Sequence, residues 1–311
     1  MPRSIRASGM ADMAVITTTP ELAQEPVRLR HPIVQFARAQ PTGAAGMVFI
    51  AVLFVAGVFA DFVAPYDPLA IDFSAMLARP SWEHWMGTDS FGRDVFSRII
   101  FGARTALAVG VLSSLLGCGI GAVIGVVSAY FGGRIDMVIQ RFMDILLAFP
   151  IIVLALAVVA ALGKFPVLGL DLNLIIAISI PMIPKVGRVV RSSALAIREL
   201  PYIDAARAAG YNHARIIFRH IAPNVVAPFL IMFTAFIAQA ILLEASLSFL
   251  GLGVTEPTAA WGLMLSGTSQ EFYSQAPWMI LFPGIAISLA VFAFNLFGDA
   301  LRDYLDPRFK V

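Results

Sequence analysis

Long stretches of this sequence carry no Asp, Glu, Lys or Arg, among them residues 105–133, 145–163, 221–243 and 272–298. A helix of about 20 apolar residues crosses the roughly 30 Å hydrocarbon core of a bilayer, because each residue advances it by about 1.5 Å. A soluble core helix gains nothing from such charge-free length. Composition agrees: 59% of the 311 residues are hydrophobic and 14% charged, where a soluble domain carries about 25% charged residues. The stretches predict an all-α integral membrane protein.

The apolar pattern predicts six transmembrane helices, at about 45–64, 104–130, 140–162, 172–192, 222–250 and 278–299. The fourth is uncharged only over 172–184, and it holds Pro181 and Pro184. Lys185 and Arg188 would have to snorkel to the interface for that helix to continue. Without it five spans remain, and the two chain ends fall on opposite sides. The chain thus divides into a tail (1–44), a first span with an outer segment (45–103) and a core (104–311). The tail holds Arg3, Arg6, Arg28, Arg30 and Arg38, and its first apolar run comes too late for a signal peptide.

Charge asymmetry orients the six-span arrangement. With both termini in the cytosol, 17 of the 22 Lys and Arg lie inside, as the positive-inside rule requires. Seven of them fall within 185–219, and Arg302, Arg308 and Lys310 close the chain. The outer segments keep Arg79, Arg93, Arg98, Arg104 and Lys164, together with nine acids that include Asp61, Asp89 and Glu256. Cys118 is the single cysteine, so no internal disulfide can form. Gly117, Gly121 and Gly125 are four apart, a spacing that lets a second helix approach one face closely. Trp82, Trp85, Trp261 and Trp278 all fall in outer loops or at span ends. That suits anchors at the membrane interface or contact with a partner.

The polar segment 199–223 is a local folding problem of its own. Pro201 suits a first helical turn, and Glu199 and Asp204 suit its positive end. Ala205, Ala206, Ala208 and Ala209 favour helix, and Gly210 can cap it. Asn212 can cap a second helix over about 213–222, with Pro223 at the change into the next span. Two short helices with a bend at Gly210 are expected at the inner membrane surface. The alanines make the first thin enough to enter a cleft in another protein. A linker lying on the membrane satisfies the same residues equally well.

DAARAAG followed by Pro223 resembles the EAA motif of ABC importer permeases, with Asp204, Ala205, Ala206, Gly210 and Pro223 at the motif's spacing. Asp204 replaces the usual Glu, and His220 and Ala222 stand where Ile and Leu are expected. MGTDSFGRDVFSRIIFGARTAL (86–107), MDILLAFP (143–150) and EASLSFLGLGV (244–254), followed by Trp261-Gly262, resemble the dipeptide, oligopeptide and nickel branch, C-type subunit. The resemblance covers about 45–310. It implies a type I ABC importer permease fold of six transmembrane helices in a bacterial inner membrane. It also implies a homologous B-type permease, two ATPase subunits or one fused ATPase, and an extracytoplasmic substrate-binding protein. The cargo would be a peptide, or else nickel or another small solute. Residues 204–210 would be the coupling helix that sits in a groove of the ATPase. ATP and Mg would bind the ATPases and no cofactor this chain, which would have no enzymatic activity and no nucleic-acid partner; membrane lipid would surround it.

Other motifs need weighing. LSGTSQ (265–270) looks like an ATPase signature but lies in an expected outer loop, and no G-x-x-x-x-G-K-[ST] occurs. Glu244 is the deepest acid. It could meet the amino end of a peptide or line a gate. A structural hydrogen bond to a neighbouring helix is favoured, because Ser246 and Ser248 supply polar company. Arg141 and Asp144 are three apart and, with Asp136, read as structural ion pairs. His31, His84, His213 and His220 fall in the tail or loops with no metal-ligand clustering. An ion-coupled transporter should show repeated halves and ion-binding groups at the midplane. An intramembrane enzyme should show G-x-S-x-G, H-E-x-x-H or paired aspartates. Neither pattern occurs, and neither class explains DAARAAG.

Overall fold

The computed structural model describes residues 32–163, 166–167 and 170–305. The tail through residue 31, Lys164, Arg308 and Lys310 lie outside the described residues. A short amphipathic helix, α1 (Pro32–Ala39), leads into α2 (Pro41–Val58) and a single turn, α3 (Ala60–Val63). The long α4 (Val95–Phe131) follows, then α5 (Gly133–Leu147) and α6 (Ile151–Leu162). A two-stranded antiparallel hairpin, β1 (Pro166–Val167) and β2 (Leu170–Asp171), precedes α7 (Leu172–Ser179) and α8 (Met182–Arg198). Then come α9 (Pro201–Ala208), α10 (His213–Ile216), α11 (Val226–Phe249), α12 (Trp261–Met264), α13 (Thr268–Glu271) and α14 (Trp278–Leu305). Among the described residues, four helical stretches are long and apolar enough to cross a bilayer, and two bent pairs raise the candidates to as many as six.

The third and fourth expected spans correspond to the two bent pairs. α5 and α6 meet at 94°. Pro150 lacks an amide hydrogen and pushes Phe149 away from the helical region, so the helix cannot run through. The 12 residues of α6 reach only about 18 Å. α5 leaves Ile135, Met137, Val138 and Phe142 exposed and turns its acids to α8. Asp136 accepts from Arg191 at 2.6 and 2.5 Å, and Asp144 accepts from Arg188. The expected Arg141–Asp144 pair is looser, at 3.9 Å. α7 and α8 meet at 44°, with Pro181 at the joint. α8 continues to Arg198, past the expected limit near 192.

The second span begins earlier than its uncharged run suggested. Asp94 caps α4 by accepting from the Ser97 amide at 2.8 Å, so Arg98 and Arg104 are helical. Both cations are satisfied. Arg104 donates to the Gly57 carbonyl and to Asp61, each at 2.8 Å, and so caps the negative end of α2. Arg98, 1% exposed, donates to the Pro68 carbonyl.

The glycine spacing in α4 is a packing seam. A Cβ on Gly117, Gly121 or Gly125 would meet backbone oxygens of Ser179, Ile183 or Gly187 at 2.7, 2.7 and 2.5 Å. α4 therefore touches the end of α7 and then α8 backbone to backbone, around buried Met182, Val186, Val190 and Ala194. α11 packs on α4 nearer its N-terminal end, where Gly110 faces Ile241, and α14 packs against both α11 and α2.

At the N-terminal end of α4, segments 64–94 and 251–277 fold together as a cap. Arg93 binds Asp89 at 2.6 Å and Glu256 at 2.9 Å. Burial alone would lower the Arg93 pKa, but Glu256 and Asp89 outweigh it and hold the guanidinium above its ordinary value. The tryptophans separate into two kinds. Trp82 and Trp85 are 96% and 59% exposed, as interface anchors would be. Trp261 and Trp278 correct that reading, because both are buried in the core. Their indole N–H groups donate to the Ile99 carbonyl at 2.9 Å and the Thr88 carbonyl at 3.0 Å.

Candidate functional site: the helical corner between α8 and α11

Residues 199–225 form the corner that the residue types dictate. Pro201 opens α9 and Asp204 lies in its first turn. Gly210, at φ +77°, ends it. The Tyr211 amide donates to the Ala206 carbonyl at 3.2 Å and the Gly210 amide to Arg207 at 2.9 Å, the paired bonds of a Schellman cap. A Cβ on Gly210 would meet nothing within 4 Å, so this glycine serves conformation and not clearance. Asn212 then caps α10, accepting from the Arg215 amide at 2.8 Å.

The second helix is less regular than expected. After α10 the backbone widens into a π turn over Ile217–Ile221, then tightens into a 3-10 turn over Ala222–Val225. Pro223 causes this: it cannot donate to the preceding turn and its ring needs room there. The Asn224 side chain donates to the His220 carbonyl at 2.7 Å.

The corner has two faces. Ile203, Ile216 and Ile221 are buried, and Ala206 is 6% exposed, inside the cluster that holds Val126, Ala129 and Tyr130 of α4 and Ala194 of α8. Tyr202, Asp204, Ala205, Ala208, Ala209 and Gly210 are exposed. The alanines of DAARAAG therefore divide: Ala206 fits α9 to its own chain, and Ala205 belongs to the bare face. Arg207 pairs with Asp204 at 3.0 Å on the open surface. Arg215 lies 4.0 Å over the Tyr211 ring, and Tyr211 stacks on His220.

Three residues outside the motif anchor this corner. The Tyr130 hydroxyl lies 2.8 Å from His213 Nδ1. Arg207 sits 5.9 Å from the centre of the Tyr130 ring. Arg198 donates to the Ala129 carbonyl at 2.8 Å, on the last turn of α4. Nothing in the sequence singles out Tyr130, which lies within the charge-free run 105–133.

Glu244 is 1% exposed. Ser248 donates to its Oε1 at 2.7 Å, and the Val254 amide donates to the Ser248 hydroxyl at 3.1 Å. The expected structural hydrogen bond is present, but its partner is one turn on in α11, not on a neighbouring helix. Ser246 faces outward and bonds the Leu242 carbonyl. Among the described residues no group of three or more His, Cys, Asp and Glu could hold a metal ion. His84 instead meets Asp94 at 3.0 Å. Residues 265–270 belong to the cap, where Ser266 and Ser269 share a small cavity with Arg93 and Arg98.

Comparison with known proteins shows the family. The family model described as the binding-protein-dependent transport system inner membrane component matches residues 121–311. The dipeptide transport system permease protein DppC of Alkalihalophilus pseudofirmus is 45% identical over 265 residues, 85% of each chain. The glutathione transport system permease protein GsiD of Pectobacterium atrosepticum is 41% identical over 300 residues, 96% of this chain and 97% of that protein. Among solved structures, a chain of the inward-facing MetNI methionine ABC transporter is similar, with a TM-score of 0.49 and 19% identity over 66% of this chain and 97% of that one. The chain belongs to the family of binding-protein-dependent transport system inner membrane components.

Proposed function

We propose that the chain is the C-type permease subunit of an ATP-driven ABC importer of di- and oligopeptides, docking its ATPase through α9. The observation that carries this is the two-faced corner: one face of α9 is seated on the permease, and the other is open, with Ala205, Ala208, Ala209 and Gly210 bare beside the Asp204–Arg207 pair. The relatives named for dipeptide and glutathione transport support peptides as cargo. We read α5–α6 and α7–α8 as two broken spans, for six in all, with residues 1–44 as a cytosolic tail. The Lys and Arg asymmetry supports cytosolic termini and puts the corner inside. The cap then faces outward, where a substrate-binding protein would deliver cargo. A homologous permease supplies the other half of the pathway.

In this mechanism Asp204, Ala205 and Ala208 meet a groove in the ATPase. Short side chains let the helix backbone come close. Ala206, Gly210 and Pro223 give the corner its shape. ATP and Mg are bound by the ATPase subunits; this chain contributes the lever that their closure moves.

Purification in mild detergent, with identification of copurifying chains, tests the reading. A second permease, an ATPase and a binding protein are expected. Ala205→Trp should release the ATPase while the chain stays inserted. An Ala205→Trp complex that keeps its ATPase and drives normal ATP-dependent uptake refutes the docking face. Uptake by the chain alone, driven by an ion gradient, refutes the importer.

A further inference from the structure

We propose that α4 carries the movement of α9 to the cap at the far end of the molecule, and that Tyr130 and His213 are the positioning residues that join the two. This rests on reading α9 as the docking helix. The corner is covalently continuous with α8 on one side and α11 on the other, and both routes contain soft joints. The α8 route bends by 44° at its junction with α7. The α11 route begins with a π turn and a 3-10 turn. Displacement entering along either is absorbed in part where the backbone departs from regular helix.

α4 has no such joint. Its 37 residues hold no proline, and they extend about 55 Å. It touches the corner without being bonded to it. Tyr130, 7% exposed, holds His213 through its hydroxyl at 2.8 Å and packs its ring edge-on to the imidazole. Arg198 and Arg207 add the Ala129 carbonyl and the Tyr130 ring.

The other end of α4 is tied to both segments of the cap. Thr105 donates to the Ala259 carbonyl at 3.0 Å, and the Ile99 carbonyl accepts from Trp261. Ser97 accepts from the Tyr66 amide. Beside these ties opens a cavity of about 780 Å³, lined by Asp61, Tyr66, Phe101, Arg104 and Thr258. A shift of α4 along its seam with α8 therefore changes that mouth directly.

The test uses the assembled transporter with its ATPases, without requiring a known cargo. Thr258→Cys places an exposed thiol in the mouth; Cys118, at 0% exposure, is shielded from a charged thiosulfonate reagent. ATP with vanadate should change the rate of thiol modification several-fold. Tyr130→Phe, which removes one hydroxyl, should abolish most of that change while the ATPase still copurifies. His213→Ala should do the same, and the double variant should be no worse than either single one, because all three break one link. An unchanged rate on ATP and vanadate in the parent overturns the proposal. So does a Tyr130→Phe response equal to the parent, or single effects that add. Should His213→Ala complexes fail to assemble, Tyr130→Phe decides alone. Ala205→Trp separates the two readings. If it sheds the ATPase while Tyr130→Phe responds normally, only the α4 link falls. If it keeps the ATPase and the full rate change, the docking face falls.

Discussion

Two glycines two residues apart on α4 should respond oppositely to the same added methyl group. A Cβ on Gly121 would lie 2.7 Å from the Ile183 carbonyl oxygen, 3.0 Å from Val186 Cβ and 3.2 Å from the Gly187 nitrogen. Two of these three atoms are backbone, so no rotamer change relieves the contact. α8 must retreat by roughly 0.5–1 Å, a gap that forfeits about a quarter to a half of the dispersion energy of each facing pair. Gly121→Ala should therefore cost about 1–3 kcal/mol, the usual range for overpacking. At about 2–4 °C per kcal/mol, Tm should fall by several degrees. A Cβ on Gly119 meets nothing within 4 Å. Gly119→Ala should be neutral, or gain up to about 0.5–1 kcal/mol from helix propensity. The assay is thermal unfolding in detergent, followed by labelling of Cys118, which is fully buried between α4 and its neighbours. Gly117→Ala added to Gly121→Ala should cost less than the sum, because the first methyl already parts the helices. Equal shifts for Gly119→Ala and Gly121→Ala would refute the seam as the source of stability.

Three further outcomes are expected. Gly210→Ala should reduce ATP-driven uptake by straining the left-handed cap by about 1 kcal/mol, and Gly210→Asn should do less harm; wild-type uptake in Gly210→Val would remove the cap from the mechanism. Trp261→Ala should lower stability by about 3–5 kcal/mol, while Trp82→Ala stays within about 0.5 kcal/mol, as measured by thermal unfolding. Glu244→Gln keeps an acceptor for Ser248 and should preserve folding and uptake, whereas Glu244→Leu should destabilise the α11 end; a folded Glu244→Gln variant without uptake would instead make this carboxylate part of the gate.

Much of the corner was legible because its causes are local. Pro201, Gly210 and Asn212 act on the backbone within a few residues, so one helix, one left-handed cap and one further helix start follow from their spacing. The π turn was not legible, since Pro223 excludes regular helix without specifying what replaces it. Ala205 and Ala206 are indistinguishable by composition, and only the packing of α9 on Val126, Ala129 and Ala194 turns one inward. Tyr130 and Arg198 carried no signal of their role, because their partners lie 83 and 69 residues away.

The same division runs through the whole protein. Residue order alone settles the solvent, since charge-free runs of such length have no counterpart in a soluble core. It also settles the family, through long motifs in fixed order, and the presence of a close-packed glycine face. What those features face depends on the packed fold. That fold gave the glycines α7 and α8 as their partners, bent two of the expected spans at proline, and buried Trp261 and Trp278 while leaving Trp82 in the open. The physical reason is range. Hydropathy and backbone propensity act along the chain, within a turn or a span. Which face of a helix is covered depends on residues that only the fold brings near.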